Sequence, residues 1–132
     1  DPDLFRVTAI DIRSDVTLQS LSKMDIVFIA QDDRPLNELR IAQTNQNRAL
    51  AQFKVLSSTL TKTANGLDVA IVDLQWQSVT PENEVFLSYH RDVIFKVPSG
   101  TVDFQLFTGL TEKDRQLPEL EKVIDSLVLL NP

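Results

Sequence analysis

The chain has 132 residues, 42% of them hydrophobic and 24% charged, a balance that suits one folded domain over residues 1–132 and excludes a disordered sequence. Thirteen basic against nineteen acidic residues give a formal charge of −6, which repels phosphate backbones and argues against nucleic acid as a partner. With no cysteine and a single histidine the chain lacks disulfides and thiolates and has too few soft ligands for a zinc or copper site, so neither a metal nor a cofactor is expected.

Phe5 to Ile12 alternates as a strand does, and Thr17 to Met24 spaces Leu18, Leu21 and Met24 for a short helix after caps at Ser14, Asp15 or Thr17. Asp25 to Ala30 is a β-branched and aromatic run. Asp32-Asp33-Arg34-Pro35 then supplies turn chemistry, and the alternation of Leu36 to Ala42 completes a predicted β-hairpin. Thr44 or Asn45 caps a predicted helix from about Gln46 to Leu56, with Ala49, Leu50, Phe53 and Leu56 as its buried face. Asn65-Gly66 is a strong turn pair between a strand near Ser58 to Lys62 and a second strand from Leu67 to Gln77. In that second strand Ala70, Val72, Leu74 and Trp76 share one face, and Asp73, Gln75 and Gln77 the other.

From Val85 to Val97 the apolar residues fall on odd positions, as a half-buried strand requires, with Arg91 the one interruption. Pro98-Ser99-Gly100 turns the chain into a partner strand in which Val102, Phe104, Leu106 and Thr108 alternate with polar positions until Phe107 departs from the pattern. The last element reads as an amphipathic helix with Pro118 at its first position, Glu119 and Glu121 in its first turn, and a stripe of Leu120, Val123, Ile124 and Leu127. Strands and helices in this order define an α+β domain whose closing helix lies across the sheet.

No phosphate-cradling or hydrolase motif occurs, and glycines at 66, 100 and 109 alone cannot assemble a phosphate loop, so no enzyme is expected. Four residues are candidates for binding. His90 sits beside a carboxylate in Tyr89-His90-Arg91-Asp92, but alternation places His90 and Asp92 together opposite Tyr89 and Val93, as solvated neighbours without the third group that nucleophilic catalysis needs. Arg91 falls on the apolar face, where an unpaired charge costs several kcal/mol, so a bulge, a sheet edge, a buried partner such as an aspartate, or a ligand pocket has to relieve it. Trp76 at a strand end serves as a core lid or as a ligand platform. Asp32-Asp33 and Glu82/Glu84 are expected in solvated turns.

The apolar-aromatic phrase Leu50, Phe53, Leu56, the turn Asn65-Gly66-Leu67-Asp68-Val69, the two long strands, and the closing Pro118-Glu119-Leu120-Glu121-Lys122-Val123-Ile124-Asp125-Ser126-Leu127 resemble the PsbP/Mog-like superfamily and its DcrB-type bacterial lipoprotein domains over about residues 36 to 130. The N-terminal segment departs from the family's Gly-Trp or Pro-Trp turn, since no tryptophan precedes Trp76. The resemblance implies an α/β/α sandwich with a central antiparallel sheet covered by two or three helices, and a non-enzymatic accessory role in photosystem or envelope proteins. It supplies no catalytic residue.

The functional expectation is therefore a binding or assembly domain with a protein partner, the soluble part of an exported or membrane-anchored protein. The alternative is a small-molecule carrier or atypical enzyme with a pocket between sheet and helix, in which Trp76, Tyr89, His90 and Arg91 are the residues at stake. No apolar run approaches the roughly 20 residues that cross a bilayer. The start at Asp1 rather than Met is compatible with removal of a signal peptide, lipid anchor or upstream domain. The expected location is periplasmic, lumenal or otherwise extracytoplasmic, with a cytoplasmic one still open.

Overall fold

The computed structural model describes residues 5–6 and 23–129. Its elements in chain order are β1 (Phe5–Arg6), β2 (Lys23–Ala30), α1 (Leu36–Asn45), β3 (Lys54–Lys62), β4 (Asp68–Val79), β5 (Val85–Val97), β6 (Gly100–Gly109), a 3₁₀ turn at Leu110–Glu112 running into α2 (Lys113–Asp125), and β7 (Val128–Leu129). Five strands form one antiparallel sheet in the order β2-β6-β5-β4-β3, and β1 pairs separately with β7. β3 to β6 is a meander of consecutive hairpins. β2 joins it from outside, pairing along its length with β6, and the chain then crosses the sheet through α1 to begin β3 at the opposite edge.

The alternation of side chains sorts the sheet into two faces. On the first, Val69, Tyr89, Val93, Phe95, Val102, Phe104 and Leu106 pack under Leu120, Val123 and Ile124 of α2 and under Leu127 beyond it. Each such large aliphatic side chain contributes about 1.5–3 kcal/mol by leaving water. On the second face, Leu39 of α1 packs on Ala70 and Ile94, while Val72, Leu74 and Trp76 form a neighbouring cluster with Phe53 and Phe107. A helix on each face makes the three-layer α/β/α arrangement. The strands are buried on both sides at their centre, unlike the half-buried strands that alternation alone predicts.

Polar side chains fasten the helices to the strands. Arg40 Nη1 donates to Ser58 Oγ at 2.7 Å, and Thr44 Oγ1 lies 2.7 Å from the same hydroxyl, which ties α1 to β3. Asn65 in the β3–β4 turn donates from Nδ2 to the carbonyls of Asp125 and Leu127 at 2.8 and 3.2 Å, satisfying acceptors that the end of α2 leaves open. That turn works because Gly66 takes φ +82°, a left-handed conformation that costs glycine nothing.

Several sequence expectations are corrected. Leu36 to Ala42 belongs to α1 rather than to a hairpin strand: Leu36 and Leu39 stand one helical turn apart, Pro35 occupies the cap, and the segment is rich in helix formers. The helix expected from Gln46 to Leu56 does not form. Gln52 adopts φ +59°, which breaks any helix there, Leu50 is exposed, and Lys54 already begins β3. Phe53 and Leu56 do reach the core, but on opposite faces of the sheet.

The closing helix starts five residues earlier than expected, so Pro118 lies inside α2 rather than at its first position, where it has no N–H to give to the helical ladder. Met24 lies in β2, while the remainder of the helix expected over 17–24 and the strand expected over 7–12 fall outside the described residues. Asp32 does not stand free in a solvated turn, since Arg34 donates to both of its carboxylate oxygens at 2.9 and 2.8 Å and holds the carboxyl well below the usual range.

Candidate functional site

The tetrapeptide Tyr89-His90-Arg91-Asp92 at the centre of β5 sends alternate side chains into the two layers, so its residues serve two separate polar clusters. On the α2 face Arg91 pairs in register with Asp73 of β4. The guanidinium donates from Nε and Nη2 to the two Asp73 oxygens at 2.7 and 2.8 Å, and the Tyr89 hydroxyl donates to Oδ2 at 2.7 Å. Of the ways to relieve Arg91, the molecule uses the buried aspartate. Burial, followed by the hydrogen bond to Asp73, pushes the Tyr89 phenol far above its usual range, so it remains a donor. The Lys113 ammonium stands 5.1 Å over the Tyr89 ring. Arg91 also borders a small cavity of about 140 Å³ with Leu120 and Glu121.

The α1 face carries the second cluster. His90 and Asp92 do share the face opposite Tyr89 and Val93, but they are not solvated: His90 is 3% exposed and Asp92 0%. The imidazole lies edge-on to Phe107 at 4.1 Å and tilted against Trp76 at 5.3 Å between ring centroids. These rings, in the layer that α1 also covers, seal a face expected to be open to water. Burial lowers the His90 pKa to about 4, so the ring is neutral at pH 7. Its Nε2 stands 2.7 Å from Asp92 Oδ2 without the alignment of a hydrogen bond, and because the ring is neutral the contact is not an ion pair.

Asp103 of β6, 8% exposed, completes the cluster and faces Asp92. Burial, then the neighbouring charge, raises the Asp103 carboxyl. Burial raises Asp92 as well, against hydrogen bonds from Asp103, Gln43 and Gln105, and the two titrate as one coupled pair. Gln105 Nε2 donates to Asp103 Oδ2 at 3.0 Å, and the protonated Asp103 carboxyl in turn donates to Asp92. Asp103 also lines a cavity of about 370 Å³ between α1 and the sheet, with Ile29, Leu39 and Ile94 as apolar wall, Gln43 on α1 and Arg34 at one end. No group of three or more His, Cys, Asp or Glu side chains able to hold a metal ion occurs among the described residues.

The four residues singled out from the sequence thus divide: Tyr89 and Arg91 lie under α2, Trp76 and His90 on the α1 side. No single pocket brings His90, Arg91 and Trp76 together, and Trp76 acts as core, packed on Val72 and Leu74. Sequence reasoning missed Asp73 and Asp103. For Asp103 the available signal was Ile94 and Phe107, apolar residues in the phase assigned to water, which mark a second covered face and bury the carboxylate that shares it; Asp73 lies on the α2 face, where only strand register sets it against Arg91.

Taken together, the class is an antiparallel five-stranded sheet enclosed by one helix per face, with a cavity beneath the first helix. No protein-family model matches the chain, and no curated protein matches it. Among solved structures it is similar to LpqN of Mycobacterium tuberculosis, described as involved in cell envelope biogenesis, with a TM-score of 0.57 and 8% sequence identity over 97% of this chain and 79% of that one. The likeness is one of fold.

Proposed function

We propose that this domain is a non-enzymatic accessory module of an exported or envelope-associated protein, and that it binds a protein partner by accepting an extended segment along β2. The observation that carries the reading is the composition of that edge. Ile26, Val27, Phe28 and Ile29 are four consecutive apolar residues, 53%, 38%, 42% and 42% exposed, on a strand paired on one side alone among the described residues. Proteins normally blunt such an edge with charge, proline or a bulge. The opposite edge follows that practice, with β3 opening and closing on Lys54 and Lys62, polar residues through its middle, and a bulge between Val55 and Ser57. A peptide added to β2 gains main-chain hydrogen bonds along the edge that no described strand pairs, and apolar contacts on both faces.

The non-enzymatic part is supported by the placement of the single histidine, sealed between aromatic rings and neutral, where it can neither reach a substrate nor exchange a proton with one at pH 7. The envelope setting is supported by the fold shared with LpqN and by the sequence pattern of PsbP/Mog-like and DcrB-type domains. The test is a photo-cross-linking amino acid placed at Ile26, with Thr59 on the opposite edge as control, in cells that make the full-length protein. Discrete adducts to another protein from position 26, absent from position 59 and abolished by Phe28→Lys, are expected. Adducts at both edges, self-adducts alone, or none would overturn the edge-strand reading.

A further inference from the structure

One hydrogen bond fixes which way the backbone of β2 points. Gln31 N donates to the Ser99 carbonyl at 2.7 Å, and the ladder continues through Ala30 opposite Gly100 and Ile29 opposite Thr101. Hydrogen-bonded pairs alternate along an antiparallel ladder, so Val27 and Ile29 aim their main-chain groups at β6, whereas Ile26 and Phe28 aim theirs away from it. A segment added antiparallel to β2 therefore bonds to Ile26 and Phe28. The residue it sets opposite Ile29 forms a non-hydrogen-bonded pair, the kind in which side chains come closest.

Ile29 is also a wall of the cavity of about 370 Å³. Because α1 packs over β3, β4 and β5, the cavity lies on the side of the helix toward β6 and β2. Ile94, Thr101 and Asp103 form its floor and Leu39 and Ala42 its helix side, while Ile29, 42% exposed, stands between it and the sheet edge. A long side chain opposite Ile29 enters by passing over that residue.

The walls exclude a charged occupant. Arg34 is held by both oxygens of Asp32, Lys96 by the Asp32 carbonyl and Thr101 Oγ1, and Asp103 by Asp92, to which it donates its proton. An ionised side chain entering here sheds its hydration and meets no opposite charge free to replace it. A small aliphatic group leaves most of the space unfilled, since the volume equals that of roughly a dozen waters. An aromatic ring fills it best, burying about 150–250 Å² of its own surface.

We propose that the cavity is the specificity pocket of the β2 edge and receives one neutral aromatic side chain, carried by the partner residue that pairs opposite Ile29. The pocket has this role only if β2 accepts a strand, as proposed above; main-chain pairing then supplies affinity and the ring supplies selectivity.

The test titrates the full chain with peptides acetyl-Lys-Thr-Val-X-Val-Thr-Lys-amide, where X is Trp, Ala or Lys, and follows amide chemical shifts. All three are expected to shift residues 26–30, with the Trp peptide bound roughly tenfold tighter or more and alone shifting Leu39 and Gln43. Ala42→Leu fills the cavity from α1 and leaves β2 untouched, so it should bring the Trp peptide down to the affinity of the Ala peptide. Ile26→Pro removes an outward N–H but no bond to β6, and should abolish binding of all three. Equal affinities, an advantage for the Lys peptide, or a Trp advantage that survives Ala42→Leu would overturn the pocket and leave the docking edge standing. Absence of shifts at residues 26–30 with every peptide, or binding that survives Ile26→Pro, would overturn both.

Discussion

Arg91 shows how a residue that breaks a pattern becomes its anchor. Alternation puts a guanidinium on the apolar face, and the register of β4 against β5 puts Asp73 directly opposite it. Replacing Arg91 alone by Leu leaves Asp73 a buried charge, so a loss of about 3–5 kcal/mol is expected in denaturant unfolding. The double change Asp73→Leu with Arg91→Leu should recover most of that loss, since a well-packed apolar pair is often no worse than a buried ion pair. Were Arg91→Leu alone stabilising, the pair would contribute nothing. Tyr89→Phe removes one donor while Arg91 still holds both Asp73 oxygens, so a smaller cost of about 1 kcal/mol is expected in the same measurement. That Arg91 needed relief was legible in the sequence. Its partner was not, because Asp73 sat in a phase assigned to solvent, and only pairing register identifies which carboxylate stands opposite.

At the scale of elements, the long strands and the closing helix were readable because their apolar periods run for many residues and agree with the turn residues between them. The first helix was not. Leu36 to Ala42 is short enough that two leucines satisfy strand alternation and helical spacing alike, and the stronger helical pattern after it is cut by the left-handed Gln52. In α2, Leu120 is almost fully buried beneath the central strands, so Leu120→Ala should cost about 2–5 kcal/mol in thermal or denaturant unfolding.

The junction of β2 with β6 depends on a missing side chain. A Cβ at Gly100 would lie 2.1 Å from the Ile29 backbone oxygen, which cannot swing aside as a side chain can. Gly100→Ala should therefore loosen β2 selectively, seen as faster amide exchange in residues 26–30 while β4 and β5 keep their protection. Uniformly faster exchange across the sheet would show instead that the edge does not open independently.

For the molecule as a whole, the polar cluster under α1 makes stability depend on pH in two opposing directions. The Asp92–Asp103 pair holds protons in the folded state that the unfolded chain gives up from about pH 3.8, so its contribution is complete below that value and is lost as pH rises through the pair's elevated range. His90, lowered from 6.5 to about 4, contributes above 6.5 and loses that contribution as pH falls toward 4. The pair should therefore pull the melting temperature down as pH rises from about 4 through its elevated range, against the rise that His90 contributes between about 4 and 6.5, and Asp103→Asn should flatten the decline. Parallel curves for the two proteins would remove the pair as the cause.

The strand order also has a consequence for how the chain is made. A polypeptide emerges from the ribosome N-terminus first, yet β2 has its sheet partner in β6, the last long strand to be synthesised. Until residues 101–104 of β6 exist, the stretch from Ile26 to Ile29 lacks the strand it pairs with among the described residues, while β3, β4 and β5 can already zip together. The nascent chain thus carries four consecutive apolar residues that wait for their sheet partner until β6 emerges, an interval in which a chaperone has the most to cover.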